Sequence, residues 1–305
     1  MNATRIRRVA RYLPVLVRGR PLHSRERYAP FFIVGSGRCG TTLLRAILEV
    51  HPVVHIPPES HVLGRVIGEY RRFSRLPWNV VLRIVLAAFE YHEGWDMFEL
   101  TLGAVFRELE TRPPAARDLA AVVDAAYRAH ARKHKPSASR WGDKSWLNTF
   151  SLPALRSVFP DLRVVHLVRD GRDVAASFAR LVPDGLVRFA RHWVRAVESA
   201  QTFGRRHPSQ YLEIRYEDLV RRPVETVRNV TAFLALDFEE SLLRYHELGL
   251  WMGDVDRVPH LRGARQPIDA TRIGGWRAGL DALQIAELER FLRPTLAKLG
   301  YGDAS

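Results

Sequence analysis

One stretch constrains the fold more than any other: FFIVGSGRCGTTLLRAILEVHP, residues 31–52. FFIVG is a short apolar run ending in glycine, the pattern of a fully buried parallel strand. A helix is expected from near Thr41. Leu44, Ile47, Leu48 and His51 follow at three- and four-residue spacing, and Pro52 stops it. Strand, glycine-rich turn and helix together outline a phosphate-binding loop. The nucleotide-hydrolysing version reads G-x-x-x-x-G-K-[ST]. Here Gly35 and Gly40 hold the glycine positions and Thr42 the hydroxyl position, but Thr41 stands where the lysine belongs. Such a loop favours an anion through its backbone N–H groups, Gly37 to Thr42, and through the helix N-terminus. Thr41 and Thr42 add hydroxyls, and Arg38 adds a planar fork suited to a phosphate or sulfate oxygen pair. The missing lysine charge has to come from elsewhere.

The strand–turn–helix pattern returns further along. VVHI (53–56) is a second candidate strand, ended by PPES. Residues 62–135 read mostly as helices, an insertion between early strands. Arg163 to Val168 reads as a buried strand, Gly171 supplies a turn, and Val174, Phe178 and Leu181 line one face of the next helix. QYLEIRYEDLV (210–220) is another strand running into a turn. A helix started by Pro223 follows, with Val227, Val230 and Leu234 inward, and a last helix is closed by Gly300. Strands alternating with helices imply an α/β fold, a parallel sheet flanked by helices on both faces. Ligands of such sheets sit at the C-terminal strand edges. The loops at 35–42, 57–60, 169–172 and 216–218 should meet at one site.

Composition narrows the class. The chain of 305 residues is 47% hydrophobic, enough for a real core, and its one cysteine excludes an internal disulfide. No apolar run reaches the roughly 18–20 residues that cross a bilayer, and no secretory signal stands out, so a cytoplasmic protein is expected. The net charge is +14, and half of it lies in residues 1–29, with eight arginines and one glutamate. Those residues read as a basic tail ahead of one domain over 30–305. Ile6, Val9 and Leu13 fall at helical spacing, so residues 5–20 also fit a peripheral contact with an anionic membrane.

Four motifs in order resemble the sulfotransferases that use 3′-phosphoadenosine 5′-phosphosulfate (PAPS), above all the tyrosylprotein type and its bacterial relatives. The first is Gly35-Ser36-Gly37-Arg38-Cys39-Gly40-Thr41-Thr42, where the family has G-x-P-R-S-G-T-T. The second is Arg169-Asp170-Gly171-Arg172 with Ser177 on the following helix. The third is Tyr216-Glu217-Asp218-Leu219, and the fourth is RIGGWR, residues 272–277. Gly37 replaces a proline and Cys39 a serine. The resemblance covers roughly residues 30–302 and implies a P-loop-kinase-like sheet with a helical insertion at about 62–135. It implies PAPS as co-substrate, with Gly37, Arg38, Cys39, Gly40, Thr41, Thr42, Arg169, Ser177, Tyr216, Arg272, Gly274 and Trp276 around it. Either Tyr216 or Trp276 is a candidate to flank adenine.

A sulfuryl group carries less charge than a terminal phosphoryl group and moves in line without Mg²⁺. It needs an anion cradle, a cation beside the leaving oxygen and a base for the acceptor proton. The resemblance places the cation at Lys144, in WGDKS, although a surface lysine paired with Asp143 is the plainer reading. It places the base at Glu59, in IPPES, where a carboxylate also suits the N-terminus of the next helix. His61 and, more weakly, His55 are the other candidate bases. Cys39 near a helix N-terminus also suits a nucleophile, but no histidine partner is evident. His166 reads as a core histidine. The acceptor is expected to be a hydroxyl on a small molecule, lipid, glycan or peptide; neither a metal nor a nucleic acid is called for. Two rivals share the loop: a P-loop nucleotide kinase or NTPase, and a non-catalytic anion-binding module.

Overall fold

The computed structural model describes residues 19–302, apart from 25, 183, 184 and 251. The basic amphipathic segment of the first 18 residues lies outside the described residues.

Five parallel strands form one sheet: β1 (Phe31–Val34), β2 (Val54–His55), β3 (Arg140–Asp143), β4 (Arg163–Val168) and β5 (Tyr211–Arg215), in the order β2-β3-β1-β4-β5. β1 is central, with Phe32 opposite Asp143 on one side and Val164 on the other. The strand order reverses between β1 and β4, so the crevice for a ligand opens beyond their C-terminal ends.

The pleat sends alternate residues of β1 to opposite faces. Phe32 and Val34 meet the helices of the insertion: α2 (Leu63–Phe73), α3 (Trp78–Glu90), α4 (Gly103–Glu110) and α5 (Leu119–His134), together with α6 (Leu152–Val158). Phe31 and Ile33 meet α1 (Thr41–Glu49), α7 (Gly171–Ala179), α10 (Pro223–Leu234) and α13 (Ala282–Lys298). The long helix α8 (Leu186–Arg206) contributes to both cores. Leu44, Ile47 and Leu48 of α1 and Val227, Val230 and Leu234 of α10 are all buried as their spacing implies. Short helices α9 (Tyr216–Arg221), α11 (Asp254–Arg257) and α12 (Trp276–Gly279) sit around the crevice. No helix of the described residues is long and apolar enough to cross a membrane.

Several elements, among them β3, α6, α8 and α11, were not evident from the residues. β3 reads RWGD, too polar for a buried-strand pattern. Its Gly142 is needed because a Cβ there would come within 2.4 Å of the Phe31 ring. Helix α8 stands where no motif drew attention. One inward assignment needs correction: α7 ends at Ala179, so Leu181 lies beyond it, 45% exposed at the crevice wall.

Candidate active site

The loop between β1 and α1 is built on backbone that side chains rarely adopt. Gly37 and Gly40 have φ of +76° and +97°, and Arg38 takes φ +56° despite its Cβ. A Cβ on Gly40 would lie 2.5 Å from the Tyr216 ring. Gly40→Ala is therefore expected to combine backbone strain with a steric clash, costing about 1–3 kcal/mol of stability. Urea unfolding of the two proteins side by side measures it.

A cleft of about 1050 Å³ opens over this loop. It is lined by Gly37, Arg38, Gly40, Thr41 and Thr42 of the loop and helix start, and by Glu59, His61, Arg169, Tyr216 and Arg272. The loops after β1, β2 and β4 and the start of α9 thus converge, as the alternating pattern required. A smaller adjoining cavity of about 260 Å³ is lined by Arg38, Arg169, Ser177, Arg180, Arg272 and Trp276, with Asp173 as its one carboxylate among the described residues.

That small cavity is strongly cationic. Arg38 donates from Nε to Ser177 Oγ at 3.1 Å. Arg169 donates to the carbonyl of Arg272 at 2.7 Å, pairs with Asp173 at 3.3 Å, and lies 4.5 Å over the Tyr216 ring. Its buried Nε has no hydrogen-bond partner. Burial, then the neighbouring charges of Arg169, Arg180 and Arg272, hold the Arg38 guanidinium below its usual range. Among the described residues, four arginines facing one carboxylate suit an anion between them. Asp173 also accepts from the backbone N–H groups of Gly274 and Trp276, both at 3.0 Å, tying the RIGGWR loop to α7.

Behind the first loop stands Lys144, buried rather than on the surface. Its ammonium is hydrogen-bonded to Glu59 Oε1, donates to Thr42 Oγ1 at 3.2 Å and lies 3.7 Å from Asp254. Asp143, the plainer sequence partner, faces inward instead. It accepts from Tyr127 Oη at 2.5 Å and Asn148 Nδ2 at 2.6 Å. A lysine directly after β3 thus stands next to the loop's own threonine.

Glu59 also pairs with His61 Nε2 at 2.8 Å. Burial raises its pKa, but the Lys144 charge and then His61 outweigh it and bring the carboxyl down to about 2. The loop carrying these groups is fastened from the chain just after β3 and from the insertion. Ser145 Oγ accepts from the N–H groups of Ser60 and His61, at 3.2 and 3.5 Å, and Ser60 Oγ meets Tyr127 Oη at 3.2 Å. His61 is held at φ +48°, a strained conformation of the kind that clusters at functional sites.

The remaining sequence candidates separate clearly. Cys39 is fully buried, and a Cβ on Gly35 would touch its sulfur. It lines neither cavity, and burial pushes its thiol pKa up, which removes it as a nucleophile. Gly274 lines neither cavity; φ +72° explains the glycine, and its neighbour Gly275 reaches the small cavity. Trp276 packs between Arg172 and Arg277, at 4.4 and 4.5 Å. His55 is buried between Glu49 at 2.8 Å and His130 at 2.7 Å, away from the cleft. His166 is a core histidine, bonded to Tyr211 Oη at 2.6 Å. Arg172 is bound to Asp170 at 2.9 Å. Arg180, Asp254, His260 and Trp146 belong to the site and carried no motif.

The profile described as the Sulfotransferase family matches residues 30–240. This chain belongs to the sulfotransferase family. A second profile, described as a Sulfotransferase domain, matches residues 187–300. The sulfotransferase is similar to Protein-tyrosine sulfotransferase 1 of Danio rerio, 26% identical over 280 residues that cover 88% of this chain and 71% of that protein. It is also similar to a putative protein-tyrosine sulfotransferase of Caenorhabditis briggsae, 24% identical over 90% of this chain and 89% of the other. Among solved structures, it resembles the sulfotransferase domain from the Synechococcus PCC 7002 olefin synthase. That match has a TM-score of 0.63 at 24% identity and covers 94% of this chain and 100% of that one. The P-loop-kinase-like sheet expected from the sequence is therefore the fold. Of the functions that share the loop, the sulfotransferase is the one supported, and a nucleotide kinase is not.

Proposed function

We propose that this sulfotransferase takes the sulfuryl group of PAPS and passes it to an acceptor hydroxyl. One observation carries the reading: a cleft over the anion-cradling loop, with Lys144 buried behind its Thr42 and Glu59, adjoins a cavity of arginines. A nucleotide with phosphates at both its 5′ and 3′ positions matches that pair of sites. The unpartnered Arg169 Nε and the scarcity of carboxylates in the arginine cavity fit the 3′-phosphate. When bound, PAPS supplies an activated sulfuryl group on its 5′-phosphate. Arg38, Arg169 and Arg272, with Ser177, hold the 3′ end. The N–H groups of Gly37 to Thr42 hold the 5′ end. Glu59 accepts the acceptor's proton. Lys144 receives the charge that develops on the leaving oxygen, where a preorganised cation acts most strongly.

The rest of the cleft suggests the acceptor's shape. Leu43, Met97, Trp146, Leu181, Val258 and Leu261 are apolar, and Glu93 and Asp96 are its carboxylates from the insertion. An acceptor with its hydroxyl on an apolar body, such as a phenol or a tyrosine side chain, suits that wall.

The donor reading is tested by thermal unfolding with EDTA present. 3′-Phosphoadenosine 5′-phosphate (PAP) should raise the melting temperature, and AMP, which lacks the 3′-phosphate, should raise it far less. Arg169→Ala should weaken PAP binding by roughly 10–100-fold, the scale of a lost charge-assisted contact of ~1.5–3 kcal/mol. Stabilisation by ATP with Mg²⁺ but not by PAP would return the chain to the kinase reading.

A further inference from the structure

We infer that Asp254 is a positioning residue for Lys144, a second carboxylate that receives the ammonium when it leaves Glu59. This rests on the sulfuryl-transfer reading above. In the structure the two groups assigned to the chemistry are bound to each other. That pair keeps Glu59 ionised but makes it a poor proton acceptor, held at about 2. For Glu59 to take a proton, Lys144 has to release it, and a buried ammonium needs another partner at that moment.

Asp254 is placed to be that partner. It opens α11 directly after Gly253, whose φ of +26° turns the chain into the cleft wall. Its Oδ1 accepts from Arg45 Nη1 at 2.5 Å. Its Oδ2 is buried, has no hydrogen-bond partner, and lies 3.7 Å from Lys144 Nζ. A buried carboxylate oxygen without a donor is costly, so its orientation calls for a reason. A shift of about 1 Å would turn the 3.7 Å approach into an N–H···O hydrogen bond. Arg45 fixes the carboxylate from the far side. It is fully buried, and its Nε also donates to the carbonyl of Ile56 at 2.9 Å, three residues before Glu59. One arginine thus ties the base's loop and Asp254 to the same helix, α1. The chain after Asp254 runs directly into Val258, His260 and Leu261 of the cleft wall. Placement of Lys144 and the shape of the acceptor side are therefore set by one segment.

A double-mutant cycle tests this. Asp254→Asn keeps the shape and removes the charge. At saturating donor and acceptor it should lower kcat by roughly 10–100-fold, with PAP affinity within about 3-fold of wild type. In a Lys144→Ala background the same change should alter kcat by less than about 3-fold, because its effect passes through the lysine. Equal losses in both backgrounds, or a single variant with wild-type kcat, would overturn the inference. If Asp254→Asn does not fold with Arg45 unbalanced, Arg45→Met with Asp254→Asn removes both buried charges, and the cycle is read on that pair. A second measurement needs neither donor nor turnover. The chain has four lysines, 133, 135, 144 and 298, so ¹⁵N-lysine labelling gives few ammonium signals, and Lys144→Ala assigns the one in question. In Glu59→Gln the Lys144 signal should stay protected from exchange with water. In Glu59→Gln with Asp254→Asn it should exchange at least 10-fold faster. Equal exchange in the two would also overturn the inference. Absence of wild-type turnover beside an intact Asp254-dependent signal would instead count against the sulfuryl-transfer reading alone.

Discussion

Glu59→Gln is expected to lower turnover by roughly 10²–10⁴-fold at saturating donor, the range for losing a general base, with PAP affinity nearly unchanged. Three features support the large value. Glu59 lines the cleft beside the phosphate-binding loop. Two prolines precede it and limit its loop. Its loop is fastened through Ser145 and Tyr127, so the carboxylate is held in place. The rival base is His61, bonded to Glu59 at 2.8 Å. Kinetics of His61→Ala beside Glu59→Gln distinguish them. A Gln variant within a few-fold of wild type, beside an inactive Ala variant, moves the role to the histidine. The pH profile gives a separate check. Burial raises the Glu59 pKa, but Lys144 and His61 bring it below its unfolded value, to about 2. A lowered carboxylate pKa means the group stays ionised until the pH falls through that value. As base, Glu59 should therefore leave kcat/KM without an acid limb between roughly pH 5 and 8. A histidine base would lose activity toward acid across that same range.

Lys144→Ala should lower kcat by roughly 10²–10³-fold, the scale for removing one preorganised stabiliser of developing charge, and weaken PAP much less. The reason is positional. The ammonium sits against Thr42, the second residue of α1, where the orphan amides of the helix N-terminus converge. It does not line the arginine cavity that would hold the 3′ end, so ground-state binding rests mostly on other residues. The substitution also leaves Glu59 and Asp254 without their shared cation, so the variant should melt earlier than wild type. Rates are best compared well below its unfolding temperature. Equal losses in donor affinity and in kcat/KM, with kcat unchanged, would place Lys144 in ground-state binding only.

Most of the sheet could be read from the residues because burial on two faces leaves a short-range signature. β1, β4 and the helices at 41, 223 and 282 follow from apolar runs, helical spacing, Pro223 and Gly300. β3 did not, since RWGD relies on a glycine that makes room for Phe31 from another strand. The glycine loop, Arg169, Ser177 and Tyr216 were legible for a related reason: a close backbone approach to an anion demands particular residues at fixed spacing. Cys39 shows the limit. It stands inside that motif, yet its side chain turns into the core, because a loop has no constant period to say which way a residue points.

Sequence alone determined the strand–turn–helix order, the phosphate-binding character of the first loop and the absence of its lysine. These depend on backbone conformation over a few residues, which glycines, prolines and apolar spacing dictate directly. Only the tertiary structure decided which charges meet. Lys144 and Glu59 are 85 residues apart, and Arg45 and Asp254 are 209 apart. Nothing local marks Asp254, Arg180 or His260, which reach the two cavities from helix ends and short helical turns with no motif of their own. Ion pairing depends on through-space distance and on exclusion of water. Both are set once the insertion and the chain around 252–268 close on the sheet edge.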